Sequence, residues 1–423
     1  MKPAAAQIPN RQEKGIDMAA SNPSRDQGTP VRIPNVFTAG FRFFFLSAGV
    51  FSALAMFVWT AWLGMQAAGL DPAVVPMAMA PQLWHAHEMV YGYTIAVMAG
   101  FFVTAVPSWT GTKETGAAFV TFSGMVWLAG RLAVWFSASL DPLLVAAIDL
   151  AFVPVLSSAI LGRLAQKSQV RNMVFLALLT LLFTGNLMMH LSWIGWTDGG
   201  AEAGVRLGIF TSAAMIAIIG GRVVPAFTRN ALIRQGIEDN LPRSRAWLDR
   251  PGILLALMAA IGCLPFVPSS VLGSICIAAG LLTLLRLAGW RGIATRKEPI
   301  LWILHTAFGL LGLGYLVYGL SLLGGFWPET AALHLLAAGA IGSMTVAMMT
   351  RASLGHAGRP LKVSRPVVAA YAALIAAAMV RVFAIPLFGY FATMLLSGGL
   401  WILAFSLYVA VYFPILTQPR QRK

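Results

Sequence analysis

Six histidines are the residues of this chain best suited to hold a metal, and all fall in or beside apolar stretches. His85 and His87 stand in Trp84-His-Ala-His-Glu-Met, His190 follows Met188-Met189, and His305, His334 and His356 come later. Neutral imidazole is the commonest metal ligand and serves zinc, copper, iron and haem alike. The two cysteines, Cys263 and Cys276, fit no zinc, disulfide-framework or iron-sulfur spacing, so metal chemistry falls to histidine. The 19 methionines add thioethers that suit Cu(I), although most read as core filler or lipid-facing residues.

Spacing restricts which histidines act together. His85 and His87, at i and i+2, point about 200° apart on a regular helix, so they serve different sites unless the helix mouth is irregular. His85 shares its face with Glu88 and Met89, and His87 with Tyr91 and Thr94. Small residues follow His334 (Ala337, Ala338, Gly342) and His305 (Gly309, Gly312). Such strips leave room for a flat macrocycle and equally allow close helix packing. Ionisable groups inside apolar runs are costly and therefore candidates by default. Here they are Glu88, Asp149, Arg131, Arg206, Arg222 and Arg381. Arginines in that setting snorkel, pair with a carboxylate, or hold an anionic group such as a haem propionate.

The elements that position these residues are bilayer helices. The chain has 423 residues, 58% apolar and 11% charged, with a mean hydropathy of +0.76, which excludes a soluble multidomain enzyme and a disordered chain. Apolar stretches run over 38–66, 84–106, 116–137, 141–165, 170–194, 203–225, 249–267, 269–290, 299–323, 329–350, 364–384 and 388–414. Each is long enough to cross a bilayer as a helix. The expected fold is an all-α polytopic membrane protein of about twelve spans over 38–415, with a flexible polar tail at 1–37 and a basic tail at 416–423.

The net charge of +15 sorts by side. Lys and Arg gather in the tails and alternate connections, while the other connections carry Asp71, Asp141, Asp198, Glu202 and Glu329. Under the positive-inside rule both termini are cytoplasmic, and the basic residues mark orientation and leave no patch for nucleic acid. On this topology His85, His87, His190 and His334 lie within roughly 10 Å of the outer face. Arg131, Arg206 and Arg381 lie toward that face too, whereas His305, His356 and Arg222 lie toward the inner one. The outer four together point to metal or haem ligation. A weak repeat, Ile95-Ala-Val-Met…Pro107-Ser-Trp-Thr against Ile216-Ala-Ile-Ile…Pro225-Ala-Phe-Thr four spans later, allows three four-helix units.

Several longer motifs carry a resemblance. They are Arg42-Phe-Phe-Phe, Trp84-His-Ala-His-Glu-Met-Val-Tyr-Gly-Tyr, Gly185-Asn-Leu-Met-Met-His, Gly220-Gly-Arg-Val-Val-Pro-Ala-Phe-Thr-Arg-Asn and Leu304-His. The most specific is Leu333-His…Gly339-Ala-Ile-Gly-Ser-Met-Thr…Met349-Thr-Arg-Ala-Ser-Leu-Gly-His-Ala-Gly-Arg-Pro. In these the chain resembles the NnrS family of bacterial membrane proteins from residue 38 to about 415. The resemblance implies a haem- and copper-containing protein of the inner membrane, linked to the nitric oxide response in denitrifying and nitrosatively stressed bacteria. A more distant similarity is to the catalytic subunit of haem-copper oxidases and nitric oxide reductases. That family's His-Pro-Glu-Val motif, adjacent histidine pair and second histidine on the tenth helix are absent, so its three-histidine copper centre does not carry over.

The leading expectation is a haem b protein that binds nitric oxide or nitrosylated species. His87 and His334 are its expected haem ligands, and His85 and His190 partners at a nearby copper. Arg131, Arg206 and Arg381 would pair with propionates, Glu88 and Asp149 are the candidate catalytic carboxylates of a proton route, and His305 and His356 would ligate a second, inner centre. Two other functions draw on the same residues: a nitric oxide reductase coupled to a quinol or cytochrome donor, and a transporter of copper or a metal-nitrosyl complex.

Overall fold

The computed structural model describes residues 34–70, 76–166, 170–325 and 327–421. The expected tail up to residue 33, the Asp71-Pro72 turn, Lys167 and the last two residues lie outside them. The described residues are helical with no strand, as a bilayer requires of a spanning chain whose backbone groups must be satisfied within each segment.

Twelve long helices stand where the apolar stretches lie. They are α1 (Gly40–Ala67), α2 (Pro81–Thr110), α3 (Ala117–Trp135), α4 (Pro142–Ala165), α5 (Asn172–Ile194) and α6 (Gly200–Arg234), then α7 (Ala246–Ile261). The remainder are α8 (Ser269–Ala288), α9 (Pro299–Gly324), α10 (Glu329–His356), α11 (Arg365–Phe383) and α12 (Tyr390–Thr417). Among the described residues eleven of these are long and apolar enough to cross a membrane, and α7 is the exception. It has 16 residues, or about 24 Å at 1.5 Å per residue, against a hydrocarbon core of about 30 Å. Asp249, Arg250 and Pro251 occupy its first turns, and it stops ahead of Pro265 and Pro268.

Helices α2, α6, α9 and α10 are the most deeply buried, so the functional side chains are borne by the interior of the bundle. Close approach depends on small residues. Between α8 and α9, a Cβ on Gly280 would sit 2.7 Å from the Gly312 carbonyl oxygen, and one on Gly319 would sit 2.6 Å from that of Gly273. At the basic end, Arg42 in the first turn of α1 donates to the carbonyls of Leu416 (2.9 Å) and Gln418 (2.5 Å) at the end of α12. A cation there satisfies orphan carbonyls and the negative end of the helix dipole, joining the first span to the last.

The short α7 is held by an ion pair whose arginine is buried and whose aspartate is partly exposed. Arg286 on α8 donates from Nε to Asp249 at 2.7 Å and from Nη1 to the Ala217 carbonyl of α6 at 3.2 Å. Removing one partner of a buried pair leaves an uncompensated charge. Asp249→Ala is therefore expected to cost about 3 kcal/mol, read as a lowered thermal denaturation midpoint in detergent. An unchanged midpoint would show that the pair is not what anchors α7.

Two helices depart from regular winding. In α2 the segment Glu88–Thr94 is a π-helix, with the Thr94 hydroxyl donating to the Met89 carbonyl at 2.8 Å. In α10 the segment Leu335–Gly342 is also π-helical. Each begins one residue after a histidine, His87 and His334 respectively. Such π turns cost hydrogen-bond quality and cluster at functional sites. Tyr93 of the first segment and Thr345, three residues beyond the second, link α2 to α10 through hydroxyls 2.5 Å apart.

Candidate functional site

Four helices bring six polar side chains into one dry cluster at the end opposite the basic connections. His87 and Glu88 come from α2, Arg131 from the last turns of α3, Asp149 from α4, and Asn186 and His190 from α5. None is more than 6% exposed, so every polar atom needs a partner within the cluster. Gly130 on α3 admits Asp149, since a Cβ there would lie 2.9 Å from the carboxylate oxygen.

Arg131 binds both carboxylates. Its Nη1 donates to both Glu88 oxygens at 2.9 Å, and its Nη2 donates to Asp149 Oδ1. The other Asp149 oxygen, Oδ2, accepts from Asn186 Nδ2 at 2.8 Å and from His190 Nε2 at 2.9 Å, with His87 Nε2 at 3.2 Å. His87 Nε2 also donates to Asn186 Oδ1 at 2.9 Å, while its Nδ1 faces Glu88 Oε1 at 3.0 Å. Trp193 packs against both imidazoles, its ring centroid 5.1 Å from each.

The hydrogen-bond inventory fixes the charge. The Asn186 amide nitrogen must face Asp149, so its oxygen faces His87. Both His87 nitrogens therefore point at acceptors, which satisfies them only when both carry protons. The cluster is then neutral: Arg131 and an imidazolium against Glu88 and Asp149. With neutral imidazoles it would carry one net negative charge in the interior, so one added positive charge belongs there. His87, His190 and Asp149 each present a ligand atom within 4.8 Å of the others, a set that can take a metal ion in place of protons.

The other predicted residues separate into distinct places. His85 points away from the cluster, as its offset from His87 requires, and stacks on Trp59 of α1 with centroids 4.9 Å apart. Its Nδ1 is buried without a hydrogen-bond partner. His334 donates from Nδ1 to the Thr330 carbonyl at 2.6 Å, which leaves Nε2 with a free lone pair. The two histidines lie within electrostatic range of each other, and Arg381 of α11 acts on both. His87 thus meets His190, their ring centroids 5.7 Å apart, while His85 and His334 lie apart from that cluster with Arg381 acting on both.

Of the three arginines expected toward a haem, Arg131 gives both of its Nη groups to carboxylates, while its Nε is buried without a partner. Arg206 lies 3.5 Å from Glu329, which also accepts from Tyr318 at 3.0 Å. Arg381 makes no hydrogen bond to the described residues and remains beside the His85–His334 pair. At the basic end, His305 Nε2 donates to the Thr228 hydroxyl at 2.8 Å, and its Nδ1 is buried without a partner. His356 packs at a tilt against Phe41, with ring centroids 5.2 Å apart, and among the described residues no hydrogen bond or ring contact joins it to His305. Asn186 was given no role by sequence reasoning. Its signal was available, since it stands four residues before His190 and so shares a helix face with it.

No curated protein matches the chain. The family model described as NnrS protein matches residues 35–420, from the first described helix to the end of the last span. On that match the chain belongs to the NnrS family and is a multi-pass membrane protein of the nitric oxide response.

Proposed function

We propose that this protein sits in the bacterial inner membrane with both termini cytoplasmic, holds copper at His87, His190 and Asp149, and binds haem b through His85 and His334. In this reading it captures nitric oxide or a nitrosylated product during denitrification or nitrosative stress. Copper and haem, when bound, supply the affinity for nitric oxide. The chain supplies dry, charge-balanced sites that orient them.

The observation that carries the reading is the buried cluster, in which two imidazoles and a carboxylate converge and His87 holds a proton that a cation can replace. A monovalent ion such as Cu(I) exchanges for that proton without altering the buried charge, whereas a divalent ion would leave one positive charge in excess. The unpartnered Nδ1 of His85 and the free Nε2 of His334 favour a second centre beside Arg381, the cation there best suited to a propionate.

Anaerobic titration of the purified protein with Cu(I) tests this. One copper is expected to bind per chain with release of about one proton, so that affinity rises roughly tenfold per pH unit. Copper uptake that survives the double replacement His87→Ala, His190→Ala would end the assignment.

A further inference from the structure

Three of the sequence motifs take no part in the histidine cluster, and they converge on one cavity at the basic end. Phe45 comes from the Arg42-Phe-Phe-Phe motif of α1, Arg222 and Phe227 from the Gly220-Gly-Arg-Val-Val-Pro-Ala-Phe motif of α6, and Arg351 and His356 from the last turns of α10. The cavity has a volume of ≈ 490 Å³. Its cations lie against aromatic faces: the Arg351 guanidinium is 3.8 Å from the Phe227 ring centroid, and that of Arg222 is 6.0 Å from Phe175.

Arg351 and His356 make no hydrogen bond to the described residues. Glu298, Arg234 and Tyr371 act on Arg351 through electrostatics without a hydrogen bond, as Glu114 and Arg420 do on His356. Two guanidinium groups therefore line the cavity, Arg351 and Arg222, the latter also donating to Asn172 Oδ1 at 3.4 Å. Inward, the same cavity shares Phe45, Phe101 and Met348 with a second one of ≈ 70 Å³ between α2, α6 and α10. The hydroxyls on that inner wall are turned into backbone: Thr94 to Met89, Ser212 to Gly208 and Thr345 to Ile341. With those hydroxyl protons already given to the backbone and the rest of the lining apolar, the inner end suits hydrocarbon better than water. The whole is a cationic mouth leading to an apolar end.

We propose that this cavity is a binding site for an anionic phospholipid of the membrane leaflet at the basic end, its phosphate at Arg222 and Arg351 and one acyl chain along the aromatic walls. Basic pockets between membrane helices on the cytoplasmic side recognise such head groups. The inference stands apart from the metal reading and does not depend on it.

Native mass spectrometry of delipidated protein, incubated in turn with phosphatidylglycerol, phosphatidylcholine, inorganic phosphate and haemin, tests it. One phosphatidylglycerol is expected to be retained in preference to phosphatidylcholine. Arg351→Gln is expected to weaken that retention roughly fivefold. Ala352→Phe, which fills the cavity and keeps both arginines, is expected to weaken it without altering the charge. Equal retention of the two lipids, or retention unmoved by both variants, overturns the proposal. So does inorganic phosphate binding as tightly as the lipid, or haemin whose Soret band is lost in Arg351→Gln while lipid retention is unchanged.

Discussion

Replacing Asp149 by alanine is expected to abolish copper binding and to destabilise the folded protein by about 3–5 kcal/mol. The carboxylate meets Arg131 through one oxygen and Asn186, His190 and His87 through the other, so its loss strips partners from four buried groups at once. His87 can then give up its proton, leaving Arg131 against Glu88, but the Asn186, His190 and Arg131 donors that faced Asp149 stay buried with that acceptor gone. Copper content by elemental analysis and the denaturation midpoint in detergent read the two effects separately.

Glu88→Gln makes the informative comparison. Glu88 orients His87 and pairs with Arg131 but is not one of the three converging ligands. Its neutralisation leaves the ligand set intact and removes a supporting charge, for which a loss of about 10–100-fold in metal affinity is the usual scale. Copper retained at full stoichiometry in Asp149→Ala would mean that the cluster is structural and the metal sits elsewhere.

How far these sites could be read in advance depended on the physical signal each residue leaves. Apolar runs of about 20 residues leave a strong one, and helices lie where those runs do. The short α7 shows the limit: Asp249 and Arg250 look like an ordinary basic boundary in sequence, whereas in the structure they lie in the first turns of a 16-residue helix and Asp249 pairs with Arg286 of α8. Intramembrane charge is also legible, so Glu88, Arg131, Asp149 and the histidines stood out as candidates. Their pairing did not, because helical periodicity gives a direction around one axis and says nothing of which neighbour lies there.

The π-helical start of α2 compounded this. A regular helix puts Glu88 on the His85 face, whereas Glu88 lies 3.0 Å from His87 in the structure. The wider turn beginning at Glu88 brings consecutive side chains closer in angle, so both reach the α3–α5 side. Nor could composition show that Arg131 would meet two carboxylates rather than a ligand, since both arrangements satisfy the same cost of burying a guanidinium.

The two histidine pairs predict a clean division between cofactors. His85→Ala and His334→Ala are each expected to lower the Soret absorbance and the pyridine haemochrome yield at least tenfold while copper content stays at the parent level. His87→Ala and His190→Ala are expected to do the reverse. The division follows from direction: His85 stacks on Trp59 of α1, whereas His87 is bonded into the cluster with Asp149 and Asn186. In this reading each imidazole would hold the haem iron, and Arg381, which acts electrostatically on both rings, is no iron ligand to take its place. Arg381→Gln is expected to weaken haem retention without abolishing it, as fits a propionate partner. If His87→Ala and His334→Ala instead lose haem together, the macrocycle bridges the two π-helical segments of α2 and α10, and the neutral, hydrogen-bonded form of the cluster must open to admit it.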